Sequence, residues 1–378
     1  LTTALATGYT APTTATISGF EKLEISNALA GGLTTSNIQS GIETVDLAAG
    51  SGAQTLTLEA GARTVEIGAS NTGSLTVADT GTATDDSLTV KNTGAAVDMF
   101  NAAGGLIVNG FETVTINGSG SGAATSQDAT VVTMTPDTGG TATLLLTGSN
   151  VFTTTGAITA DVIDASGLTA SSGTVFSMGA AAVGVESITG SAGNDVLLGD
   201  SSGYIDGGAG NDTITGGATN DTILGGDGVD VVNTSAGSDN VDLGAGNDRY
   251  VVGTDAHVSA ADTVTGGEGT DILELAVDMT DSATTLQSFT GFETLRMNNG
   301  ATDTITMSNL LNTQGTITKI EFGDAGGAAM IVNNVGASVT DIQLGTNAAA
   351  VTGDSATIDL LVDGSADSIA VKHDSGGN

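Results

Sequence analysis

Cysteine and tryptophan are missing from this 378-residue sequence, proline occurs twice, and lysine and arginine together number only seven. The absence of cysteine excludes disulfide bonds and thiolate metal sites. Because 43 acidic residues oppose the seven basic ones, the formal net charge is −36, and such a surface repels nucleic acid and anionic lipid. No apolar run approaches the roughly 18 residues of a membrane helix. We therefore expect neither a nucleic-acid partner nor a membrane span.

The residues that are present favour a folded chain of β-strands. Apolar residues make up 39% of the sequence, in short runs rich in valine, isoleucine, leucine and threonine, whereas disordered acidic chains lack such residues. The apolar positions alternate or form runs of four or five, and glycine, asparagine or aspartate interrupts them at short, regular intervals. That pattern is typical of strands separated by turns, and it predicts an all-β fold.

A glycine-glutamate motif recurs along the chain and predicts the rungs of a solenoid. It reads GFEKLEI (19–25), GIETVDL (41–47), GFETVTI (110–116), GVESITG (184–190) and GFETLRM (291–297), with looser copies at 62–68 and 317–323. Glu21, Glu43 and Glu66 recur at nearly equal intervals, with a period in the low twenties that suits a parallel β-helix. Such regular repetition favours a structural role at rung corners over a catalytic one. The phenylalanines of the motif are expected to point inward: Phe20, Phe111 and Phe292.

A second repeat, nine residues long, occupies residues 190 to 274 and follows G-G-x-G-x-D-x-U-x, where U is a large apolar residue. The U position predicts a buried seam and holds Leu197, Ile214, Ile223, Val232, Val241, Tyr250 and Leu273. The aspartate position holds Asp195, Asp212, Asp221, Asp230, Asp239, Asp248 and Asp271. If each copy crosses the solenoid once, every second turn stacks on the same edge. One edge would then carry Asp195, Asp212, Asp230 and Asp248, and the other Asp221 and Asp239.

Calcium binding is the chemistry that this spacing predicts. Calcium takes about six to eight oxygen ligands and accepts both carboxylates and carbonyls, and glycine turns expose their carbonyl oxygens. We expect several Ca²⁺ ions between stacked turns, held by the seven aspartates. The expected carbonyl donors are Gly190, Ala192, Asn194, Gly207, Ala209, Asn211, Gly216, Ala218, Asn220, Gly225, Asp227 and Val229. Ordinary Gly-Asp turns without metal are the alternative, which we disfavour because stacked carboxylates that are not neutralised repel each other.

Three positions depart from the nine-residue repeat. Tyr204 stands where the spacing expects an aspartate, and Thr219 replaces the fourth glycine, so the edge of Asp221 should hold fewer or weaker sites. His257 follows Asp248 by one repeat, where the next aspartate is due. We expect His257 to be a surface residue at the end of the array rather than a zinc ligand.

These nonapeptides resemble the RTX repeats of proteins exported by bacterial type I secretion. Together with the glycine-glutamate rungs and the acidic, Thr/Ala/Gly-rich composition, they are similar to the RTX surface-layer proteins of Gram-negative bacteria, the Caulobacter type. The resemblance implies a secreted protein that stays unfolded in low-calcium cytoplasm and folds outside the cell. It further implies a calcium-dependent lattice of identical copies on the cell surface, anchored to lipopolysaccharide through a separate domain that is not recognisable here.

An enzyme is not expected from the sequence. It contains no H-E-x-x-H metalloprotease motif, and GDSSG (199–203), which matches the G-x-S-x-G pattern of lipases, lies inside the calcium array with no helix after it. Carboxylate pairs of a polysaccharide lyase or hydrolase are disfavoured because the basic and aromatic residues that contact sugars are scarce. A type I secreted adhesin or biofilm-matrix protein is the second interpretation. The non-catalytic repeat region of a secreted hydrolase is the third.

Three segments follow from the distribution of the two repeats. We predict β-helix rungs over 1–182, an RTX calcium β-roll over 183–275 and further β-solenoid rungs over 276–378. The chain begins at Leu1 without a basic-then-apolar leader, and we expect it to be a piece of a longer or processed protein.

Overall fold

The fold consists almost entirely of short parallel strands, as a computed structural model of the chain shows, and this confirms the predicted all-β solenoid. The described residues are 20–26, 32–35, 41–95, 97–100, 104–119, 126–170, 173–200, 203–254, 257–259, 261–276, 288–297, 304–306, 316–322, 330–335, 339, 341–344, 356–360 and 370–373. None of these residues belongs to a helix long and apolar enough to cross a lipid bilayer. The chain divides into two compact units, residues 1–200 and residues 201–378.

Three parallel sheets, A, B and C, build unit 1. Sheet A contains β1 (Lys22–Ile25), β3 (Thr44–Leu47), β5 (Ala62–Ile67), β7 (Ser87–Asn92), β9 (Thr113–Asn117), β12 (Thr143–Gly148), β15 (Val162–Leu168) and β17 (Ser187–Thr189). Sheet B contains β2 (Leu33–Thr34), β4 (Gln54–Leu58), β6 (Leu75–Asp79), β8 (Leu106–Asn109), β11 (Val132–Thr135) and β14 (Ile158–Thr159). Sheet C contains β10 (Gln127–Ala129), β13 (Phe152–Thr154), β16 (Thr174–Met178) and β18 (Asn194–Leu198).

Alternation of apolar and polar residues places the core of unit 1 between these sheets. Successive side chains of a strand point to opposite faces, so the apolar positions of each rung stack on those of the next. One buried column of sheet A runs through Leu88, Val114, Leu144, Ile163 and Ile188. Burial of such side chains is worth about 1.5–3 kcal/mol each, and it fixes the register of rungs whose loops differ in length.

Two details of the rung prediction were wrong. Thr44 pairs with Thr64, which aligns Arg63 with Glu43 and places Glu66 beside Asp46, because this rung is shorter than the glutamate spacing implied. Phe20 is 42% exposed, whereas Phe111 and Phe292 are fully buried as predicted. Among the described residues β1 is the edge strand of sheet A, so no described rung covers Phe20.

Unit 2 contains sheets D, E and F. Sheet D contains β19 (Tyr204–Ala209), β21 (Thr222–Asp227), β23 (Asn240–Gly246), β25 (Thr263–Thr265) and β28 (Phe289–Thr290), and β26 (Glu268–Gly269) pairs with β23. Sheet E contains β20 (Thr213–Thr215), β22 (Val231–Asn233), β24 (Arg249–Val252), β27 (Ile272–Leu275), β29 (Thr294–Met297), β31 (Lys319–Phe322), β33 (Asp341–Leu344) and β35 (Ala370–His373). Sheet F contains β30 (Thr304–Thr306), β32 (Met330–Val335) and β34 (Ala356–Leu360).

Consecutive strands of the nonapeptide region alternate between sheets D and E, as a two-strand roll requires. Ile223 pairs with Val241 in sheet D, and Ile214 pairs with Val232 in sheet E, so each residue meets its equivalent two repeats later. The predicted seam is confirmed, since its seven apolar side chains are at most 1% exposed: Leu197, Ile214, Ile223, Val232, Val241, Tyr250 and Leu273.

Glycine is required where stacked turns of unit 2 touch backbone to backbone. Gly226 has φ +113°, and a β-carbon on it would lie 1.9 Å from the carbonyl oxygen of Gly208. Gly228 has φ +139°, and a β-carbon there would lie 1.7 Å from the carbonyl oxygen of Gly210. Both the positive φ and the close approach exclude a larger residue. The paired glycines thus allow the short vertical spacing between turns.

The boundary between the two compact units, at residues 200 and 201, differs from the limits drawn from the repeats. The three segments 1–182, 183–275 and 276–378 describe where each repeat type occurs. Their status as separate domains stays a prediction.

Candidate metal centre

A column of buried aspartates runs along one edge of the roll. The backbone N–H of Asp212 donates to Oδ1 of Asp230 at 2.8 Å, and the N–H of Asp230 donates to Oδ1 of Asp248 at 2.8 Å. The N–H of Asp248 then donates to Oδ1 of Asp271 at 2.8 Å. All four residues are at most 1% exposed. The predicted stacking of Asp212, Asp230 and Asp248 is therefore confirmed.

A second column occupies the other edge. The N–H of Asp221 donates to Oδ1 of Asp239 at 3.0 Å, again two repeats along the chain. The column continues where the sequence suggested a gap, because the N–H of Asp239 donates to Oδ1 of Asp262 at 3.0 Å. Tyr204 pairs with Thr222, so Gly203, not Tyr204, aligns with Asp221 at the start of the column.

Sequence reasoning missed two members of these columns. Asp262 replaces the aspartate expected at His257, and Glu293 accepts the N–H of Asp271 at 2.8 Å at the end of the first column. Asp262 lies in SAADTVT (259–265), which keeps the D-x-U pattern without the leading glycines. Glu293 lies in GFETLRM, where glutamate takes the aspartate position. A search for an acidic residue two positions before a buried apolar residue would have found both.

His257 is half-buried rather than exposed on the surface as predicted. Its backbone N–H donates to the carbonyl of Thr254 at 3.0 Å, in the segment that carries the chain from β24 to Asp262. The charge of His257 lowers the pKa of Asp239, although less strongly than burial raises it. His257 therefore lies near the second column. The position in the column that the nine-residue spacing assigned to residue 257 is occupied by Asp262.

Asp195 differs from the other predicted ligands. It lies in unit 1, and both of its carboxylate oxygens accept hydrogen bonds there. Oδ1 accepts the N–H of Phe176 at 2.8 Å and the hydroxyl of Ser191 at 3.0 Å, and Oδ2 accepts the N–H of Ser191 at 2.5 Å. Burial raises the pKa of Asp195. These protein donors already satisfy the carboxylate that the sequence assigned to calcium.

In unit 2 five column members have a carboxylate oxygen that is shielded from solvent and has no hydrogen-bond partner. The Oδ2 atoms without solvent contact or hydrogen-bond partner are those of Asp221, Asp230, Asp239, Asp248 and Asp271. A buried carboxylate oxygen without a partner is costly, because its lost hydration is not replaced. A repeated row of such atoms indicates that a cation completes the folded structure.

Burial raises the pKa of these aspartates. The pKa of Asp221 reaches about 6, with the charge of Asp239 as the second cause. The pKa of Asp248 also reaches about 6, chiefly through burial and partly through the charges of Asp230 and Asp271. Burial likewise raises the pKa of Asp230, Asp239 and Asp271. Each charged column is therefore unfavourable until a proton or a metal ion neutralises it.

The ion pairs that the structure describes lie away from the columns. Five basic residues form them: Lys22 with Asp46 and Glu66, Arg63 with Glu59, Arg249 with Glu274, Arg296 with Glu274 and Glu321, and Lys319 with Glu321. Within the described part of the chain, no lysine or arginine forms an ion pair with Asp221, Asp230, Asp239, Asp248 or Asp271. Within the described part of the chain, the columns thus have no compensating basic side chain.

Backbone carbonyl oxygens lie close to the column carboxylates. A β-carbon on Gly207 would lie 2.4 Å from the carbonyl oxygen of Gly225 and 2.5 Å from Oδ2 of Asp212, so oxygens of two turns face one small space. The side chain of Asn211 bonds the next turn through the N–H of Val229 at 2.9 Å. A donor set made only of oxygens on separate, stacked turns fits calcium. A bound ion would neutralise the carboxylates and join the turns.

The individual ligands stay predictions. The first edge holds the carbonyls of Gly207, Ala209, Asn211, Gly225, Asp227 and Val229, the second holds those of Gly216, Ala218 and Asn220, and unit 1 holds those of Gly190, Ala192 and Asn194. The carbonyl of Asp227 also accepts the N–H of Gly210 at 2.7 Å.

Removal of calcium should unfold the roll. Because each ion joins separate turns, its binding free energy contributes directly to folding. We expect excess chelator to melt at least residues 190–275, as measured by circular dichroism and amide hydrogen exchange. Magnesium should not restore the fold, since it requires compact octahedral coordination. An unchanged spectrum and thermal midpoint in chelator would contradict a metal-dependent roll.

Replacement of Asp230 by asparagine separates a metal ligand from a turn residue. Asn at this position keeps an acceptor for the N–H of Asp212 but removes the charge. We expect the calcium concentration at the folding midpoint to rise several-fold, because Asp230 lies between two neighbours of its column. The exposed Asp242 is the matched control within the same unit, and Asp242→Asn should leave the midpoint unchanged. Equal shifts in both variants would mean that general charge explains the effect.

Acidification should stabilise the metal-free roll. A carboxyl whose pKa is raised by folding stabilises the folded state when it is protonated. This contribution to the free energy of unfolding is complete below the unfolded pKa of about 3.9. That stability is lost as the pH rises through about 6, the folded value for Asp221 and Asp248. We expect protein dialysed free of metal to regain strand structure, followed by circular dichroism, between pH 7 and pH ~5. The double variant Asp221→Asn/Asp248→Asn should lose most of this dependence, and an identical pH profile in the variant would attribute the effect to net charge alone.

Comparison with known families agrees with this geometry. The family model of the RTX calcium-binding nonapeptide repeat matches in four copies, at residues 183–203, 199–232, 224–256 and 259–276. Neither the curated proteins nor the solved structures gave a match. RTX nonapeptide repeats bind calcium, and proteins that carry them are typically exported by type I secretion and bind extracellular calcium. The repeats of this chain therefore indicate a secreted, calcium-binding repeat protein.

Proposed function

We propose that this protein is structural: it folds outside the cell when calcium binds and assembles with further copies of itself into a surface layer. The observation that carries the proposal is an acidic groove on the outer face of sheet D. Its volume is about 520 Å³, and its acidic lining residues are Asp227, Asp242 and Glu268. All three are exposed, and the groove lining contains no lysine or arginine.

The groove follows from the register of the roll. Asp227 pairs with Ala245, which pairs with Glu268, so acidic residues of different rungs come together on one face. Two copies of a chain with a net charge of −36 repel each other wherever such faces meet. Calcium at millimolar extracellular concentration can neutralise and bridge carboxylates of two copies. Assembly and folding would then both depend on calcium.

A non-catalytic role belongs to the same proposal. Glu112, from one of the motifs that could have supplied a catalytic carboxylate, accepts the backbone N–H groups of Asp86 and Asp137, both at 3.0 Å. It is 5% exposed, which suits a structural corner better than a reactive acid. The GDSSG segment includes residues 201–202, which lie outside the described residues. Attachment to lipopolysaccharide through an anchor domain is the mode that the surface-layer resemblance implies.

Calcium should convert soluble copies of this protein into ordered sheets. We expect light scattering to rise across millimolar calcium, electron microscopy to show planar, regular arrays, and chelator to reverse both. The variant Asp242→Asn/Glu268→Gln should fold at an unchanged calcium midpoint but assemble poorly, because it removes exposed carboxylates of the groove without changing the column aspartates or the expected carbonyl donors. A chain that folds with calcium yet stays monomeric would contradict the lattice and favour a secreted adhesin.

A further inference from the structure

Three aspartates outside the nonapeptides meet at one corner of unit 1. Asp79 ends β6, Asp86 precedes β7, and Asp137 lies in the turn after β11. One carboxylate oxygen from each lies within 4.8 Å of the other two. The corner between them is the short turn 110–112, so the longer loops of the rungs on either side approach each other across it.

The oxygens of this cluster face a common space from which water is excluded. Oδ2 of each aspartate has neither solvent contact nor a hydrogen-bond partner. Asp86 is only 2% exposed, and its Oδ1 accepts the N–H of Gly61, which leaves Oδ2 to point into the cluster. A β-carbon on Gly81 would lie 2.9 Å from Oδ2 of Asp79 and 3.4 Å from Oδ2 of Asp86. A nearly fully buried carboxylate oxygen aimed at two others is the feature that indicates a ligand.

Glu112 holds the two loops in place. Its Oε2 accepts the N–H of Asp86 and its Oε1 accepts the N–H of Asp137, both at 3.0 Å. Gly110 leaves room for the side chain of Asp79, since a β-carbon on Gly110 would lie 2.1 Å from Oδ1 of Asp79. The scaffold therefore positions the loops that carry the aspartates through backbone hydrogen bonds and leaves the Oδ2 atoms turned toward one another.

No lysine or arginine of the described residues compensates the cluster. Among the described ion pairs, none includes Asp79, Asp86 or Asp137. Arg63, which follows the loop that contacts Asp86, donates to the carbonyls of Glu59, Ala60 and Ala62 instead. Burial chiefly raises the pKa of Asp79 to about 6, and the hydrogen-bonding contact with the Asp86 carboxyl and the charges of Asp86 and Asp137 contribute. The charged cluster thus opposes folding unless a proton or a cation enters it.

We propose that Asp79, Asp86 and Asp137 bind one calcium ion that clamps two loops of unit 1. Oxygen is the only donor type present, as a hard cation requires, and carboxylates on two separate loops suit the flexible coordination of calcium better than the strict octahedron of magnesium. The consequence is that calcium controls the rungs of unit 1 as well as the roll, through a site that has no nonapeptide. This inference does not depend on lattice assembly.

Hydrogen–deuterium exchange of the full chain tests the site with calcium alone as the probe. We expect the segments 79–87 and 134–140 to be protected in calcium and to exchange faster in chelator. Asp79→Asn should raise the calcium concentration for half-protection of these segments at least tenfold, equivalent to about 1.4 kcal/mol, and should remove one bound calcium ion per chain. The protection of residues 204–246 in the roll should respond to calcium as in the unaltered chain.

Asp85→Asn is the matched control, because Asp85 is exposed and adjacent to the buried Asp86. It removes the same charge from the same loop and should change neither the half-protection concentration nor the number of ions. The proposal is overturned if protection of the two segments is the same in calcium and in chelator. It is equally overturned if Asp79→Asn stabilises them by the same amount in both, which would assign the cluster a shared proton instead of a metal ion.

Discussion

The two columns of the roll depend on aspartate side chains that accept a backbone N–H from the preceding rung. This bond joins Asp212 to Asp230 and Asp230 to Asp248 at 2.8 Å. This hydrogen bond fixes the register of the turns. It uses one carboxylate oxygen as the acceptor and leaves the other oxygen buried. The same aspartate therefore has two effects. Its hydrogen bond stacks the turns, and its carboxylate adds a buried negative charge that must be neutralised.

The glycine-glutamate motif and the nonapeptide use this hydrogen bond between an acidic side chain and a backbone N–H in different ways. Glu112 accepts two N–H groups with its two oxygens, so a glutamate corner can be satisfied by the protein itself. The shorter aspartate of the nonapeptide accepts one N–H and leaves Oδ2 without a partner, as in Asp230 and Asp248. The glutamate corner at Glu112 thus needs no ion, whereas the aspartate corners at Asp230 and Asp248 leave one oxygen that an ion could contact. In the proposed site of unit 1, Glu112 supports the loops and three aspartates supply the ligands.

Because basic residues are scarce, the stability of this arrangement depends on cations such as calcium. Five of the seven lysines and arginines form ion pairs with acidic residues outside the columns, so few basic side chains are left to compensate the buried carboxylates. Such a chain is poorly stabilised where calcium is scarce and well stabilised where it is abundant. For the secreted protein that we propose, folding would thereby be linked to arrival outside the cell.

The sequence by itself determined the fold class, the roll and its columns. A nine-residue period repeats the same conformation at every turn, so residues two repeats apart must stack, and the buried seam from Ile214 to Leu273 follows from local pattern alone. The same period located Asp212, Asp230 and Asp248 on one edge. Asp262 and Glu293 were missed because they keep the acidic and apolar positions but not the glycines.

Only the tertiary structure decided which residues meet where the rungs differ in length. Spacing made Glu66 equivalent to Glu43, but pairing of Thr44 with Thr64 aligned Arg63 instead. Asp79, Asp86 and Asp137 share no motif, and they meet because a short corner lies between two longer loops. Stacking in a parallel solenoid is fixed by the strands, while the loops between them vary freely in length. Contacts between loops therefore depend on the accumulated register of the whole unit, which no local pattern in the sequence records.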